Sequence, residues 1–228
     1  MAPKAIISYD GTPGDHDALM LGQLLGDAGA ELTLAYVRHA PETRRDDEAL
    51  AEQDAFALLA GGARWLEDPS VERCVVLSPS TGEGLAWLAE CEQADMIVFG
   101  SEYRTPAGRV SPCRSAQMLL ERGPAAVGIA PAAYHTACAR PIERIGILAG
   151  SADEAAIETA FSLAETLDAR VVDRDRDVDL LLVGSRSEAP PGRVTLSSRS
   201  QYAIEEATSP VLVVARGATL HFETLITA

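Results

Sequence analysis

The sequence predicts an α/β fold built as two doubly wound parallel-sheet domains in tandem, the second one reduced. Three observations carry this reading. Short apolar runs alternate with amphipathic segments five times in residues 1–130, the pattern of a parallel sheet with helices on both faces. Those runs are apolar at nearly every position instead of alternating, as strands buried on both sides must be. The pattern then restarts near residue 145, and self-similarity of this kind marks an internal duplication.

In chain order, Ala5–Tyr9 is the first strand, closed by the turn formers Asp10-Gly11-Thr12-Pro13-Gly14. Asp15 and Asp17 open a helix carrying Ala18, Leu21, Leu24 and Leu25, and acidic residues suit the positive end of a helix dipole. Leu32–Val37 is the next strand, and Asp46–Leu66 has helical spacing. Strand Val71–Leu77, helix Glu83–Glu92 and strand Asp95–Phe99 follow, the last stopping at Gly100. A loop leads to a helix over Ser115–Arg122 and the strand Ala126–Ala130. Pro131–Arg144 reads as a linker.

The second pass has a strand over Ile145–Ala149, a turn at Gly150-Ser151 and a helix over Asp153–Leu167. Short strands at Arg170–Val172 and Leu180–Val183, a helix over Ser198–Ala207 and a strand over Pro210–Ala215 complete it. Residues 95–130 laid on 179–214 without gaps share ten of 36 positions, among them Gly100/Gly184, Ser101/Ser185, Arg109/Arg193, Gln117/Gln201 and Glu121/Glu205. The ends align at an offset of 84, but the starts, Gly11-Thr12 on Gly150-Ser151, align at 139. The second copy therefore lacks 55 residues, the helix, strand and helix between Val37 and Asp95. The charged run Asp173–Asp177 at the splice reads as a solvated turn. The expected organisation is a domain over 1–133, a truncated domain over 141–216 and a tail over 217–228. The tail's Leu220, Phe222, Leu225 and Ile226 are expected to cover apolar surface left by the deletion, or to pack on a second chain.

Net charge of −15 and 47% hydrophobic residues describe a soluble globular chain. An acidic surface repels nucleic acid and anionic lipid, so neither is an expected partner. Cys74, Cys91, Cys113 and Cys138 form no C-x-x-C pair and the His residues are scattered, which argues against zinc. The chain enters a strand at once, without a basic and then apolar leader, so the expected location is cytoplasmic.

Ligands of open parallel sheets bind at the carboxyl ends of strands, near the switch in strand order. Asp10–Gly14, Val37–Ala40 and Gly100–Arg114 lie there. Arg104, Arg109 and Arg114, with Arg186, Arg193 and Arg199 in the repeat, put six of 19 basic residues into two short loops. This is a phosphate-friendly feature whose alternative is pairing with nearby carboxylates. Asp15-His16-Asp17 reads as a polar helix start, since adjacent helical residues diverge. Cys113, at an expected helix start, reads as a structural thiol in preference to an activated one. Neither Gly100-Ser101 nor Gly184-Ser185 is a nucleophile elbow.

Tyr9-Asp10-Gly11-Thr12-Pro13-Gly14, the strand Leu32–Val37, Gly100-x2-Tyr103-x9-Cys113-Arg114, Gly184-x2-Ser187-x9-Ser197-Ser198 and Ser209–Val214 together resemble the universal stress protein family. That family has a strand ending in Asp-Gly-Ser and a later Gly-x2-Gly-x9-Gly-Ser/Thr. The resemblance spans residues 1–216 and implies an adenine nucleotide alpha hydrolase-like fold. It implies that ATP, with Mg, is held by Asp10, by backbone at Val37 and by Gly100; Gly11, Ser101, Arg109 and Arg114, with Gly184, Ser197 and Ser198 in the repeat, are the further candidate binding residues. Tyr103 and Cys113 stand where the pattern has glycine, Arg114 where it has a hydroxyl and Ala149 where it has the Asp, while Ser198 keeps the hydroxyl. The first copy is the favoured site.

The resemblance further implies pairing through the closing strands, either between the two copies in one chain or in a homodimer. Three functions follow for testing: a stress-response regulator binding an adenine nucleotide, a scaffold that binds none and acts through protein contacts, and a nucleotide hydrolase. The chain reads as a non-enzyme, because no nucleophile–base pair is visible.

Overall fold

Strand and helix follow one another as the pattern predicts. The computed structural model describes residues 1–39, 45–136, 141–148, 153–173 and 176–223, residues 45–51 by their backbone. Ala40, Cys138, Ala149, Gly150, Ser151, Arg174, Asp175, Leu225 and Ile226 lie outside the described residues. The first copy comprises β1 (Lys4–Ser8), α1 (Asp15–Asp27), β2 (Glu31–Arg38), α2 (Arg45–Trp65), β3 (Glu72–Leu77), α3 (Thr81–Glu92), β4 (Met96–Gly100), α4 (Arg114–Arg122) and β5 (Ala126–Ala130). The second comprises β6 (Arg144–Ile147), α5 (Glu154–Leu167), β7 (Arg170–Val172), β8 (Leu180–Gly184), α6 (Ser198–Glu206) and β9 (Val211–Val214).

The described strands form one sheet in the order β3-β2-β1-β4-β5-β9-β8-β6-β7. Within each copy every pair is parallel. Strand order reverses between β1 and β4, and again between β6 and β8. Nothing between β7 and β8 corresponds to α2, β3 and α3, which is the truncation that the two offsets predict.

The copies meet at β5 and β9, the one antiparallel pair, through Val127↔Val213, Gly128↔Leu212 and Ile129↔Val211. With the offset of 84 this register is its own mirror, so a pseudo-two-fold axis passes between Gly128 and Leu212. The surrounding bonds obey the same axis. Val110 N–H donates to the Ala207 carbonyl (3.3 Å) and its counterpart Val194 N–H to the Gly123 carbonyl (3.0 Å). The strands' carboxyl ends in the two copies therefore face opposite edges of the sheet.

Both sheet faces are covered. One core, with Ile7, Leu21, Leu25 and Met96, lies under α1, α2 and α5; the other, with Ile6, Ile97, Phe99 and Leu119, lies under α3, α4 and α6. Burying each such side chain stabilises by about 1.5–3 kcal/mol. The segment after β9 runs along α5: Thr159 Oγ1 accepts from Leu220 N–H (3.0 Å) and Ser162 Oγ from Phe222 N–H (2.8 Å). It then reaches the end of α1, where Gly29 at φ +101 leaves room for the Glu223 carbonyl. Leu220 and Phe222 are thus buried in the core under α1, α2 and α5, while Ile157 and Phe161 on α5 stay exposed.

Candidate ligand sites at the strand ends

The first-copy site is built on the turn from β1 into α1. Asp15, the first residue of α1, turns its carboxylate back: Oδ2 accepts from the N–H groups of Asp10 (2.7 Å) and Thr12 (2.9 Å). Asp10 Oδ1 also accepts from Thr12 N–H (3.1 Å). The chain's own carboxylates thus use donors that an anion would need. Burial, followed by the hydrogen bond and charge of Asp10, pushes the Asp15 pKa up to about 7.

The two glycines here serve the chain. Gly11 takes φ +81, and a Cβ there would meet Leu58 at 2.4 Å. A Cβ on Gly100 would lie 2.1 Å from the Gly14 carbonyl oxygen. The bare face of Gly100 is filled by the β1–α1 turn, whereas the resemblance implies phosphate there. Val37 is buried and packs where α3 approaches at Gly84. Ser101 Oγ donates to the Ala130 carbonyl (2.7 Å) and accepts from Ser111 N–H (3.1 Å), tying the loop to β5.

The arginines disperse. Arg109 reaches across the junction and donates to the carbonyls of Glu205 (3.0 Å) and Glu206 (3.2 Å) at the end of α6, with the Glu206 carboxylate 3.5 Å away. Cationic donors there satisfy orphan carbonyls and oppose the helix dipole. Arg193 pairs with Glu90 (2.9 Å) and Arg104 lies over the Tyr103 ring. Arg114 is exposed at the start of α4. Burial pushes the Cys113 thiol up, as suits a structural thiol. His16 stacks on Trp65, and Asp17 accepts from the N–H groups of Ala133 and His135 and contacts His135 Nδ1 (2.6 Å). Asp15 turns back into the β1–α1 turn, but His16 and Asp17 both meet His135, the rings of His16 and His135 lying 5.5 Å apart, so the expected divergence holds for Asp15 alone. Among the described residues no three His, Cys, Asp or Glu side chains gather at a metal-binding distance.

The second copy differs. A cavity of about 630 Å³ opens at the end of β8, lined by Gly184, Ser185, Arg186, Ser197, Ser198 and Arg216, with Asp153, Ser187, Glu188 and Ser200. Ser197 caps α6, accepting from Ser200 N–H (3.1 Å), and Ser185 Oγ donates to the Val214 carbonyl (2.9 Å). Ser198, the first residue of α6, is exposed. Arg186 lies 3.5 Å from Glu188, and Arg216 donates to the Ala189 carbonyl. A helix N-terminus, hydroxyls and two guanidinium groups in a cavity of ligand size suit phosphate. Gly184, Ser197 and Ser198 thus lie together at one cavity. In the first copy the Asp10 and Thr12 N–H groups are taken by Asp15 and the bare face of Gly100 by Gly14. Arg216 and Asp153 escaped the sequence reading; Arg216 sits after a strand, and its counterpart is Ala132, so the repeat gave no signal.

The sequence model of the universal stress protein family matches residues 170–215. No curated protein sequence matches the chain. A universal stress protein from Archaeoglobus fulgidus superposes with TM-score 0.69 at 14% identity, covering 94% of this chain and 98% of its own. A universal stress protein from Pseudomonas aeruginosa gives TM-score 0.61 at 16% identity, covering 93% of each chain. A functionally unknown protein from the same species gives 0.61 at 15%, covering 93% of this chain and 92% of its own. At such identities the superpositions speak for the fold. Over nearly its whole length the chain has the fold of the universal stress proteins, and residues 170–215 match that family's sequence model.

Proposed function

We propose that this chain is a cytoplasmic stress-response regulator of universal stress type that binds an adenine nucleotide, such as Mg·ATP, with the phosphates in the second-copy cavity. The observation that carries the reading is the convergence of Arg186, Arg216, Ser198 and the start of α6 on that polar cavity. Phosphate oxygens would accept from the guanidinium groups, from the Ser198 hydroxyl and from the first turn of α6. Arg186 would exchange its exposed Glu188 partner for the ligand. The output is a nucleotide-dependent surface without turnover: of the two carboxylates lining the cavity, Asp153 accepts from Gly217 N–H and Glu188 faces Arg186.

The competing reading, a scaffold that binds no nucleotide, is favoured by the use of the Asp10 and Thr12 N–H groups by Asp15, and of the Gly100 face by Gly14, in the first copy. Thermal unfolding with and without millimolar Mg·ATP separates the two. A ligand at 100 times its dissociation constant adds about 2.7 kcal/mol, several degrees for a chain of this size. The expected result is a rise that is lost in Arg186→Ala and kept in Asp10→Ala. Loss in Asp10→Ala alone would return the site to the first copy. No rise, in protein free of co-purified nucleotide, would leave the scaffold.

A further inference from the structure

A cavity of about 430 Å³ lies between α4 and α6, away from both strand-end sites, and the pseudo-two-fold axis organises its lining. Gln117 and Glu121 line it from α4, Gln201 and Glu205 from α6, with the buried Leu120 and Ile204 as its apolar part. Each of these pairs is related by the offset of 84.

Helices α4 and α6 have otherwise diverged. Laid on each other, Arg114–Arg122 and Ser198–Glu206 agree at two positions of nine, Gln117/Gln201 and Glu121/Glu205. All four residues are exposed and line the cavity. The other outward pairs, Arg114/Ser198, Met118/Tyr202 and Arg122/Glu206, differ. Core packing cannot account for identity at exposed positions, because surface substitutions away from special features are nearly neutral.

The carboxylates of Glu121 and Glu205 make no hydrogen bond or ion pair with other described residues. The nearby cations are already held, Arg109 by the end of α6 and Arg193 by Glu90. The groove thus offers one carboxylate from each helix, related by the axis, and an apolar floor; the Gln117 amide is held by the Pro112 carbonyl (3.0 Å).

We propose that this groove binds a linear alkyl diamine, one ammonium on Glu121, the other on Glu205, with the methylene chain over Leu120 and Ile204. Charge complementarity selects a dication, the floor selects an aliphatic spacer, and the pseudo-symmetry selects a ligand with two identical ends. Each ammonium gains a charge-assisted hydrogen bond, and linking the two ends makes the second contact intramolecular.

The test is calorimetric titration of the full chain with putrescine, cadaverine and hexamethylenediamine, against n-butylamine, n-hexylamine and MgCl₂ at matched ionic strength. Saturable diamine binding is expected, with an optimum in spacer length and an affinity at least about tenfold above the monoamine. Glu121→Gln and Glu205→Gln should each weaken it about tenfold, and alike. Neither should lower the melting temperature without ligand, since neither carboxylate has a partner to lose. Arg186→Ala, in the other cavity, should leave diamine binding intact, which separates this site from the nucleotide site. Absence of saturable binding would overturn the proposal. So would equal binding of monoamine and diamine, or a diamine response that Mg²⁺ reproduces or that both variants retain, which would mark simple screening of a chain with net charge −15.

Discussion

Replacing Asp15 by Asn removes one charge from the turn that closes the first-copy site while keeping an oxygen to accept from Asp10 and Thr12. Burial first, and the Asp10 carboxyl second, push the Asp15 pKa to about 7, against about 3.9 in an unfolded chain. Between those values the folded chain keeps a proton that the unfolded chain has released. The stabilisation is thus present at low pH and lost as pH rises towards and through about 7. Taken in full, the displacement removes about 2.6 kcal/mol between pH 5 and pH 8. Asp15 is partly open to solvent, and screening brings the expectation to about 1–2 kcal/mol. Urea unfolding of wild type and Asp15→Asn across that range isolates it, since other titrations cancel in the difference. The variant should gain on the wild type by that amount as pH rises. Parallel curves would refute the reasoning. A wild type that gains on the variant instead would mean that the N–H groups and the dipole of α1 hold the carboxylate ionised.

Arg109→Ala should destabilise the chain by about 1–2 kcal/mol, two charge-assisted bonds to α6 discounted for an exposed guanidinium. A lowered urea midpoint at unchanged slope is the expected reading, and an unchanged midpoint would remove Arg109 from the junction. Gly100→Ala should cost about 1–3 kcal/mol by overpacking against the Gly14 carbonyl. Were Gly100 bare only to admit a ligand, the same variant would unfold like wild type and fail only in binding.

The sequence shows the strands because parallel strands are apolar throughout, so β4 and β5 stand out without reference to any partner. It shows the truncation because two offsets disagree. The destination of long side chains is harder to read. Arg109 sits in a glycine-containing loop next to a strand end, which is where a phosphate-binding arginine would sit. Its guanidinium instead meets α6, far away in sequence, through a junction that only the folded sheet creates. Gly100 raises the same difficulty: a bare backbone marks a close approach but not what approaches, and here it is Gly14. The second-copy cavity was half legible. Ser197 and Ser198 follow from the repeat, whereas Arg216 enters from the segment after β9, where the first copy has alanine.

What the duplication has kept identical shows which constraints outlast divergence. Asp95 accepts from Lys4 N–H (2.8 Å) and Asp179 from Arg144 N–H (2.9 Å), the same bond binding the two inner strands of each copy. Ser101 and Ser185 each tie their loop to the closing strand. Gly108 and Gly192 adopt φ +74 and +72, a region that favours glycine, and donate to the carbonyls of Ala132 and Arg216 at 2.8 Å in both cases. Val110 and Val194 donate across the axis to the carbonyls of Ala207 and Gly123, and Val127 and Val211 lie in the paired strands. A repeated loop that resembles a phosphate cradle is thus held constant largely by the geometry of two sheets joined edge to edge. The copies part at the motif positions Tyr103 against Ser187 and Cys113 against Ser197. The same argument isolates the side chains of Glu121 and Glu205: their carbonyls accept from Thr195 and Arg109 and Gln117 donates to the Pro112 carbonyl, but the two exposed carboxylates take no part in this shared bonding, so a symmetric occupant of the groove is what would hold them equal.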